Sequence, residues 1–173
     1  METCFELHQI RSYAHDQYIR MVERLENEVI LSLGSNLGQK KKNLRNCIKK
    51  IQEHIGEVKS ESKIIESAPF GFESDHDFAN MCVRVETNLT PEFILQEIQL
   101  IEKKMGRTRT QKNYEDRIID IDIILLNNQI IETKNLTIPH QKYRERMFVL
   151  IPLLELGNFL DPKLFLTTEE FIL

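Results

Sequence analysis

Two aspartates interrupt an otherwise apolar stretch of the sequence, RIIDIDIILL at residues 117–126. The β-branched residues around them are typical of a buried strand, where an unpaired carboxylate is costly. Alternation along a strand predicts Asp120 and Asp122 on one face and the apolar side chains on the other, namely Ile119, Ile121, Ile123 and Leu125. At a rise of about 3.3 Å per residue, the aspartates are roughly 6.6 Å apart along the strand. This spacing suits carboxylates that converge on one or two divalent cations.

A simpler interpretation of the aspartate pair is a solvent-exposed face of an antiparallel sheet. Ile118 and Ile124 are expected to flank the pair on its own face. Apolar neighbours on that face favour a recessed acidic site over an open polar surface.

Basic residues gather just before the acidic strand, at Lys103, Lys104, Arg107, Arg109 and Lys112. Cations next to metal-binding carboxylates indicate a polyphosphate ligand. Arg107 could instead satisfy the last carbonyls of a helix, and Arg117 could be a structural partner of Asp120. Three arginines around one acidic pair are more than helix capping requires.

Several other residues have both a structural and a functional interpretation. His140 and the cluster Asp75-His76-Asp77 could bind ligands, but a lone histidine is more often structural and the cluster lies in a polar, solvated loop. Phe78 and Phe148 could be core residues, or they could enclose a flat heterocycle whose edge is read by Asn80. The loop GSNLG at 34–38 could present backbone amides to an anion, although a plain turn is the alternative because it matches no nucleotide-binding fingerprint.

The composition is that of a soluble, single-domain protein. The chain has 173 residues, of which 41% are hydrophobic and 29% charged. No apolar run is long enough to cross a bilayer, so we expect no membrane association. Three scattered cysteines without a Cys-x-x-Cys motif argue against disulfides and zinc and favour the cytoplasm. The net charge of −4 argues against nucleic acid as a partner.

Hydrophobic periodicity predicts the elements that position these residues. Strands are expected at 28–33, 57–67, 78–87 and 117–126, with helices at 40–55 and, after Thr90-Pro91, up to Met105. Asn127-Asn128 is expected to turn into a return strand, and residues 141–151 to form a helix that Pro152 ends. Two split βαβ units favour an α+β, ferredoxin-like two-layer sandwich, a mostly antiparallel sheet with helices on one face, over a doubly wound parallel sheet. Residues 1–27 form a predicted N-terminal helical extension, amphipathic over 5–26, to a domain at 28–173.

An ordered series of motifs over residues 29–162 resembles the 6-hydroxymethyl-7,8-dihydropterin pyrophosphokinase (HPPK) family of folate biosynthesis. The series comprises Gly34-Ser35-Asn36-Leu37-Gly38, Pro69-Phe70-Gly71, Asp77-Phe78-Ala79-Asn80, Glu102 with Gly106-Arg107-x-Arg109, Arg117-x-x-Asp120-x-Asp122, and Pro139-His140 followed by Arg146-x-Phe148. The resemblance implies a ferredoxin-like fold and the transfer of the ATP diphosphate to the pterin hydroxymethyl group, with release of AMP.

The resemblance also implies roles for individual residues. Asp120 and Asp122 would hold two Mg²⁺ ions, and Arg107 and Arg117 would meet the phosphates as catalytic groups. The ATP site would include Gln99, Glu102, Arg109, Ile123, His140 and Arg146. The pterin site would include Ser67, Phe70, Phe78, Asn80 and Phe148. We expect a monomer or weak homodimer with small-molecule substrates.

The chain departs from the family pattern just before the acidic strand. The family usually has a basic residue, an aromatic residue and then Gly-Pro there, whereas this chain has Asn113-Tyr114-Glu115-Asp116. Gln141 follows His140 where an aromatic residue is common. Two rival functions remain open from the residues alone: a metal-dependent nucleotide-sugar transferase and a ferredoxin-like nucleotide- or RNA-binding module.

Overall fold

A computed structural model of the chain describes residues 27–107 and 115–173. The helix predicted over 5–26, and Arg109, lie outside the described residues. In chain order the elements are β1 (Asn27–Ser35), α1 (Lys40–His54), β2 (Glu57–Glu61), β3 (Ile65–Ser67), β4 (Phe78–Thr87), α2 (Pro91–Lys104), β5 (Asp120–Leu126), β6 (Ile131–Glu132), β7 (Thr137–Ile138) and α3 (Met147–Leu156). Short 3₁₀ turns lie at Tyr143–Glu145 and Glu169–Phe171.

The main sheet has the strand order β2-β4-β1-β5, and β3 also pairs with β4. All of these pairings are antiparallel. Each helix of the two split βαβ units connects strands that are separated in the sheet by another strand, which is the ferredoxin-like arrangement. The predicted α+β fold is confirmed, and β5, which carries the two aspartates, is an edge strand.

Helices cover both faces of the sheet, so the prediction that they lie on one face is wrong. Side chains of α1 and α2 pack against the face that includes Leu31, Val83 and Ile123. Side chains of α3 pack against the opposite face, which includes Ile30 and Cys82. The α3 face of the sheet is the less apolar of the two, but Ile30 and Cys82 are buried on it beneath α3.

The described residues include no helix with the length and apolar character needed to cross a membrane.

A bulge in β5 changes which residues face the larger core. Pairing with β1 steps from Leu31–Ile123 to Ile30–Leu125, which places the extra residue Ile124 in β5. Ile119, Ile121 and Ile123 lie in the core beneath α1 and α2 as predicted, but Leu125 packs on the α3 face and Leu126 takes its place. The strand begins at Asp120, so its alternation does not extend to Ile118, which lines a hollow near Lys104.

Three further boundaries differ from the predictions. The strand predicted at 57–67 is divided into β2 and β3. At the break, the Ser62 hydroxyl accepts the hydrogen bond from the Cys82 amide, whereas in a regular ladder a backbone carbonyl would accept it. The turn at Asn127 and Asn128 forms, but β6 pairs with β7 in a separate two-stranded sheet instead of returning along β5. Pro152 lies inside α3 rather than ending it, because burial of its apolar neighbours offsets one missing backbone hydrogen bond.

Candidate functional site

The two aspartates of β5 face one large cavity beside this edge strand. In the pairing with β1, Asp120 lies opposite Gly34 and Asp122 lies opposite Ser32. Both aspartates line a cavity of about 530 Å³. Their side chains therefore converge on a shared space, as the alternation predicted.

Asp120 is held by two arginines at the junction of α2 and β5. Arg107 and Arg117 donate to its two carboxylate oxygens, from Nη1 in both cases, at 2.5 and 3.0 Å. Arg107 also donates to Glu102, which is almost fully buried and accepts the Ile121 amide at 3.0 Å. Glu102 thus joins the end of α2 to the start of β5. Burial opposes the charge on Arg107, but Asp120 and Glu102 raise its pKa, so it stays a cation.

Asp122 has weaker compensation for its charge. Arg146 donates from Nη1 at 3.3 Å, and His140 Nε2 lies 3.9 Å away. Burial, followed by repulsion from Asp120, raises the pKa of Asp122 to about 7. Asp122 is therefore the carboxylate of the pair that a further cation would compensate.

The carboxylate pair fits a magnesium ion that is shared with a polyphosphate. Among the described residues, no three metal-ligating side chains form a cluster that could hold a metal ion alone. Mg²⁺ is commonly bound by one or two carboxylates, with substrate phosphates and water completing the shell. Asp120 and Asp122 supply this donor set.

His140 is fixed as a neutral donor. Its backbone amide donates to the Ile124 carbonyl at 3.0 Å, and its Nδ1 accepts the Lys142 amide at 3.2 Å. Burial, followed by the nearby Arg146, lowers the pKa of His140 to about 4. With Nδ1 as acceptor, the proton is on Nε2, which faces Asp122 and the cavity.

Most residues predicted for ATP line this large cavity. Gln99, Glu102, Ile123 and His140 lie in its wall together with Arg107 and Arg117. Sequence reasoning missed the apolar part of the wall, including Leu95 and Leu136, because single apolar residues carry no signal of ligand contact. Arg146 instead lines a neighbouring pocket, although its guanidinium reaches Asp122.

That neighbouring pocket is small and aromatic. All five residues predicted for the pterin line it: Ser67, Phe70, Phe78, Asn80 and Phe148. The Asn80 amide donates to the Ser67 hydroxyl at 3.0 Å, and the rings of Phe70 and Phe148 lie 5.8 Å apart. Gly34 makes room here, because a Cβ at that position would lie 3.2 Å from Asn80 Oδ1. Sequence reasoning missed Phe72, which also lines the pocket.

The volume of the aromatic pocket is about 50 Å³, whereas small-molecule sites usually measure roughly 300–1,000 Å³. A two-ring heterocycle therefore requires a side chain to move. Phe70 is the candidate, since it is about half exposed and lies in the loop 68–77.

Arg117 and Asp122 line both pockets, so they mark the point where the two pockets meet. The Arg117 guanidinium also lies over the Phe78 ring, 5.5 Å from its centroid. The Nε atoms of Arg117 and Arg146 are buried and have no hydrogen-bond partner in the part of the chain that the structure describes. Buried donors of this kind are normally satisfied, so both point to an anionic ligand.

A third group of residues, Asn36, Ser74 and Asp116, joins the loops around this junction. Sequence reasoning did not assign them a function. The available signal was the polar loop 34–38 and the unusual carboxylate before Arg117. The exposed cluster Asp75-His76-Asp77 matches the solvated interpretation.

Comparisons with known proteins identify the family of this chain. The sequence profile of 7,8-dihydro-6-hydroxymethylpterin-pyrophosphokinase (HPPK) matches residues 30–158. The chain is 41% identical to the folic acid synthesis protein FOL1 of Dictyostelium discoideum over 145 residues, which are 83% of this chain and 22% of that protein. It is 38% identical over 133 residues to the 2-amino-4-hydroxy-6-hydroxymethyldihydropteridine pyrophosphokinase of Bacillus subtilis, covering 76% of this chain and 79% of that protein.

Solved structures show the same fold. A Plasmodium falciparum HPPK-DHPS structure with pteroate aligns at a TM-score of 0.69 and 18% identity, covering 84% of this chain and 42% of that one. The chain thus spans less than half of that protein, as it spans about a fifth of the Dictyostelium relative. Together with the family profile, the similarity over most of the Bacillus enzyme shows that this chain belongs to the 7,8-dihydro-6-hydroxymethylpterin-pyrophosphokinase family.

Proposed function

We propose that this protein transfers the β,γ-diphosphate of ATP to the hydroxymethyl group of 6-hydroxymethyl-7,8-dihydropterin and releases AMP. The observation that carries the proposal is the meeting of two unlike pockets at Arg117 and Asp122. One pocket is large, polar and lined by cations and carboxylates, which suits a nucleotide triphosphate. The other is small and aromatic, with an amide at its wall, which suits a flat heterocycle.

In the proposed complex the pterin hydroxyl attacks the β-phosphorus in line. The new bond joins the hydroxyl oxygen to the β-phosphorus, the bond from this phosphorus to the α,β-bridging oxygen breaks, and the electron pair leaves with AMP. The hydroxyl proton passes to solvent, because Asp122, the one carboxylate among the described residues that line the pterin pocket, would be engaged by Mg²⁺. Phosphoryl transfer depends mainly on positioning and charge stabilisation, so a strong base is not required.

The chain's own residues supply the positioning. Arg107, Arg117 and Arg146 bring positive charge to the junction, and the free Nε donors of Arg117 and Arg146 are available to phosphate oxygens. Neutral His140 can donate from Nε2 without a change of charge. Phe78 and Phe148 would stack on the pterin while Asn80 hydrogen-bonds to its edge.

Asp120 and Asp122 would hold two Mg²⁺ ions, which would neutralise the triphosphate and orient it for displacement. This role requires ion pairs with Arg107, Arg117 and Arg146 to loosen when the nucleotide arrives. The arginines would then transfer part of their contact from carboxylate to phosphate, whose oxygens also match the guanidinium fork.

We further propose that the protein acts in the cytoplasm as a monomer or weak homodimer. Cys47 and Cys82 are buried free thiols, which suits a reducing compartment.

The test is to separate the products of labelled ATP after incubation with the pterin and Mg²⁺. AMP together with a diphosphorylated pterin supports the proposal. ADP would indicate an ordinary kinase, and the absence of turnover would indicate a binding module. A reaction that requires a sugar acceptor would indicate a nucleotide-sugar transferase.

A further inference from the structure

The carboxylate of Asp116 joins two loops that approach the site from different parts of the chain. Its Oδ1 accepts the Asn36 side-chain amide at 2.5 Å and the Ser74 hydroxyl at 2.5 Å. Asn36 belongs to the loop that follows β1, and Ser74 belongs to the loop 68–77 of the aromatic pocket. We propose that Asp116 is a positioning residue for diphosphate transfer, acting through Asn36 on Arg117. This inference rests on the proposed phosphate role of Arg117.

The first step is the orientation of Asn36, which is almost fully buried. Its Nδ2 donates to Asp116 and, at 3.3 Å, to the His76 carbonyl, while its Oδ1 accepts the Arg117 amide at 2.7 Å. A carboxylate can only accept hydrogen bonds, so Asp116 fixes which end of the amide faces it. This choice leaves Oδ1 directed at the Arg117 backbone.

The second step is the hold on Arg117. The amides of Asn36 and Leu37 both donate to the Arg117 carbonyl, at 3.1 and 3.3 Å. Asn36 therefore contacts the Arg117 peptide groups at both the N–H and the C=O. The position of the Arg117 guanidinium, between Asp120 and the Phe78 ring, depends on this anchored backbone.

The third step connects the aromatic pocket. The loop 68–77 carries Phe70 and Phe72 into that pocket, and Ser74 attaches the loop to Asp116. Ser74 also accepts the His76 amide at 3.1 Å, which completes a local turn. The loop 68–77, which must move to admit the heterocycle, is thus attached to Asp116, the same carboxylate that orients Asn36.

Asp116 is suited to this task because it keeps its charge. The hydrogen bond from Ser74, and after it that from Asn36, lowers the pKa of Asp116 below its ordinary value. A charged acceptor makes stronger hydrogen bonds than a neutral one.

The experiment measures kcat and both KM values for Asp116→Ala, Asp116→Asn and the matched control Asp75→Ala, which changes an exposed carboxylate on the loop 68–77. Loss of both hydrogen bonds in Asp116→Ala is expected to lower kcat about tenfold with the KM for ATP within about twofold. The conservative Asp116→Asn variant keeps an accepting Oδ1 but loses the charge, so its kcat should lie between those of Asp116→Ala and the wild type. The control should match the wild type.

Repeating the measurement in an Arg117→Lys variant separates this inference from the proposed role of Arg117. Arg117→Lys should itself lower kcat because lysine lacks the planar fork of donors. In that background Asp116→Ala should reduce kcat by less than about twofold, because coupled residues are non-additive. A tenfold effect in both backgrounds would overturn the inference, whereas wild-type kcat in Arg117→Lys would overturn the proposed role of Arg117 instead.

Folding is checked by thermal melting of each variant. If Asp116→Ala does not fold, Ser74→Ala replaces it, since that change removes only one hydrogen bond to the carboxylate. Ser74→Ala is then expected to lower kcat about threefold in the wild type and by less than that in Arg117→Lys. An unchanged kcat in folded Ser74→Ala would contradict the inference.

Discussion

The guanidinium of Arg117 donates from Nη1 to Oδ2 of Asp120 at 3.0 Å. The residue that we propose to bind phosphate, Arg117, is therefore already paired with Asp120, which we propose to bind the metal. Arg107 occupies the other oxygen of the same carboxylate. If a metal cation and a polyphosphate bind together, Asp120 can pair with the cation and Arg117 with the polyphosphate, so both side chains keep a counter-charge. Binding of the cation alone would leave Arg117 with less compensation, and binding of the polyphosphate alone would leave Asp120 with less.

Asp122 is expected to be indispensable for turnover. Asp122→Ala should nearly abolish activity without loss of the fold, because it removes half of the carboxylate pair while sparing the core. The measurements are kcat and the thermal melting temperature, with the latter recorded also with Mg²⁺ and a non-hydrolysable ATP analogue.

In the wild type, Mg²⁺ and the analogue together should raise the melting temperature more than the analogue with EDTA, through ligand linkage. Asp122→Ala should lose this increment, whereas Asp75→Ala should keep it. Near-normal turnover in folded Asp122→Ala would refute the metal assignment.

Arg107 should affect chemistry more than pterin binding. Its guanidinium lies at Glu102 and Asp120, in the wall of the large cavity and not of the aromatic pocket. Arg107→Lys and Arg107→Ala are expected to lower kcat, the alanine variant by roughly 10³-fold if the arginine stabilises the transferring group as in other phosphoryl transferases.

The pterin Kd of the Arg107 variants, measured by fluorescence titration, should stay within about twofold of the wild-type value. A large loss of pterin binding would mean that Arg107 is wrongly placed. The melting temperature of each Arg107 variant is compared with that of the wild type, because the substitution removes the ion-pair partner of the buried Glu102 and could destabilise the fold.

Asn80 should affect pterin binding more than chemistry. Its amide donates to Ser67 in the aromatic pocket, where it can also meet the edge of a heterocycle. Asn80→Ala is expected to raise the pterin Kd about tenfold, equivalent to about 1.4 kcal/mol, while the KM for ATP is unchanged. Ser67→Ala is the matched comparison, because it removes the partner of Asn80 and spares the amide. An unaltered pterin Kd in Asn80→Ala would exclude this residue from recognition.

Stability should depend on pH through Asp161, which is remote from the site. Burial alone would raise the pKa of Asp161, but hydrogen bonds from Tyr143, the backbone of Lys163 and Leu164, and Arg144 bring it below its ordinary value. A carboxyl with a lowered folded pKa stabilises the fold above the unfolded pKa of about 3.9, and this contribution is lost as the pH falls through the folded pKa.

Asp161→Asn should therefore cost about 3 kcal/mol of unfolding free energy at pH 7, because it leaves Arg144 without its buried counter-charge. The difference from the wild type should shrink as the pH falls below the ordinary carboxyl range. Denaturant unfolding at pH 7 and pH 3 measures both values. A difference that is equal at the two pH values would contradict the linkage.

The sequence predicts elements where one periodicity dominates. The bounds of β4 were predicted to the residue, since Met81, Val83 and Val85 alternate with less apolar neighbours. The bulge at Ile124 could not be predicted, because it depends on the register with β1 and not on local residue types. The position of α3 was missed for a related reason: an apolar helix gives no indication of which sheet face it will cover.

The residues of the candidate site likewise fall into those that the sequence could identify and those that it could not. The resemblance of the ordered motifs selected residues that the structure brings to two adjoining pockets, and their roles remain predictions. Asn36, Ser74 and Asp116 were missed because their importance lies in hydrogen bonds across distant loops. A single sequence gives residue types and spacing but not which loops will touch.

The contact between the Phe70 and Phe148 rings has a practical consequence for inhibitor discovery. Because the two rings lie 5.8 Å apart and the pocket measures about 50 Å³, a bicyclic scaffold does not fit while both side chains keep these positions. Compound screens directed at this pocket should therefore allow Phe70 to rotate, or begin from fragments no larger than a single small ring.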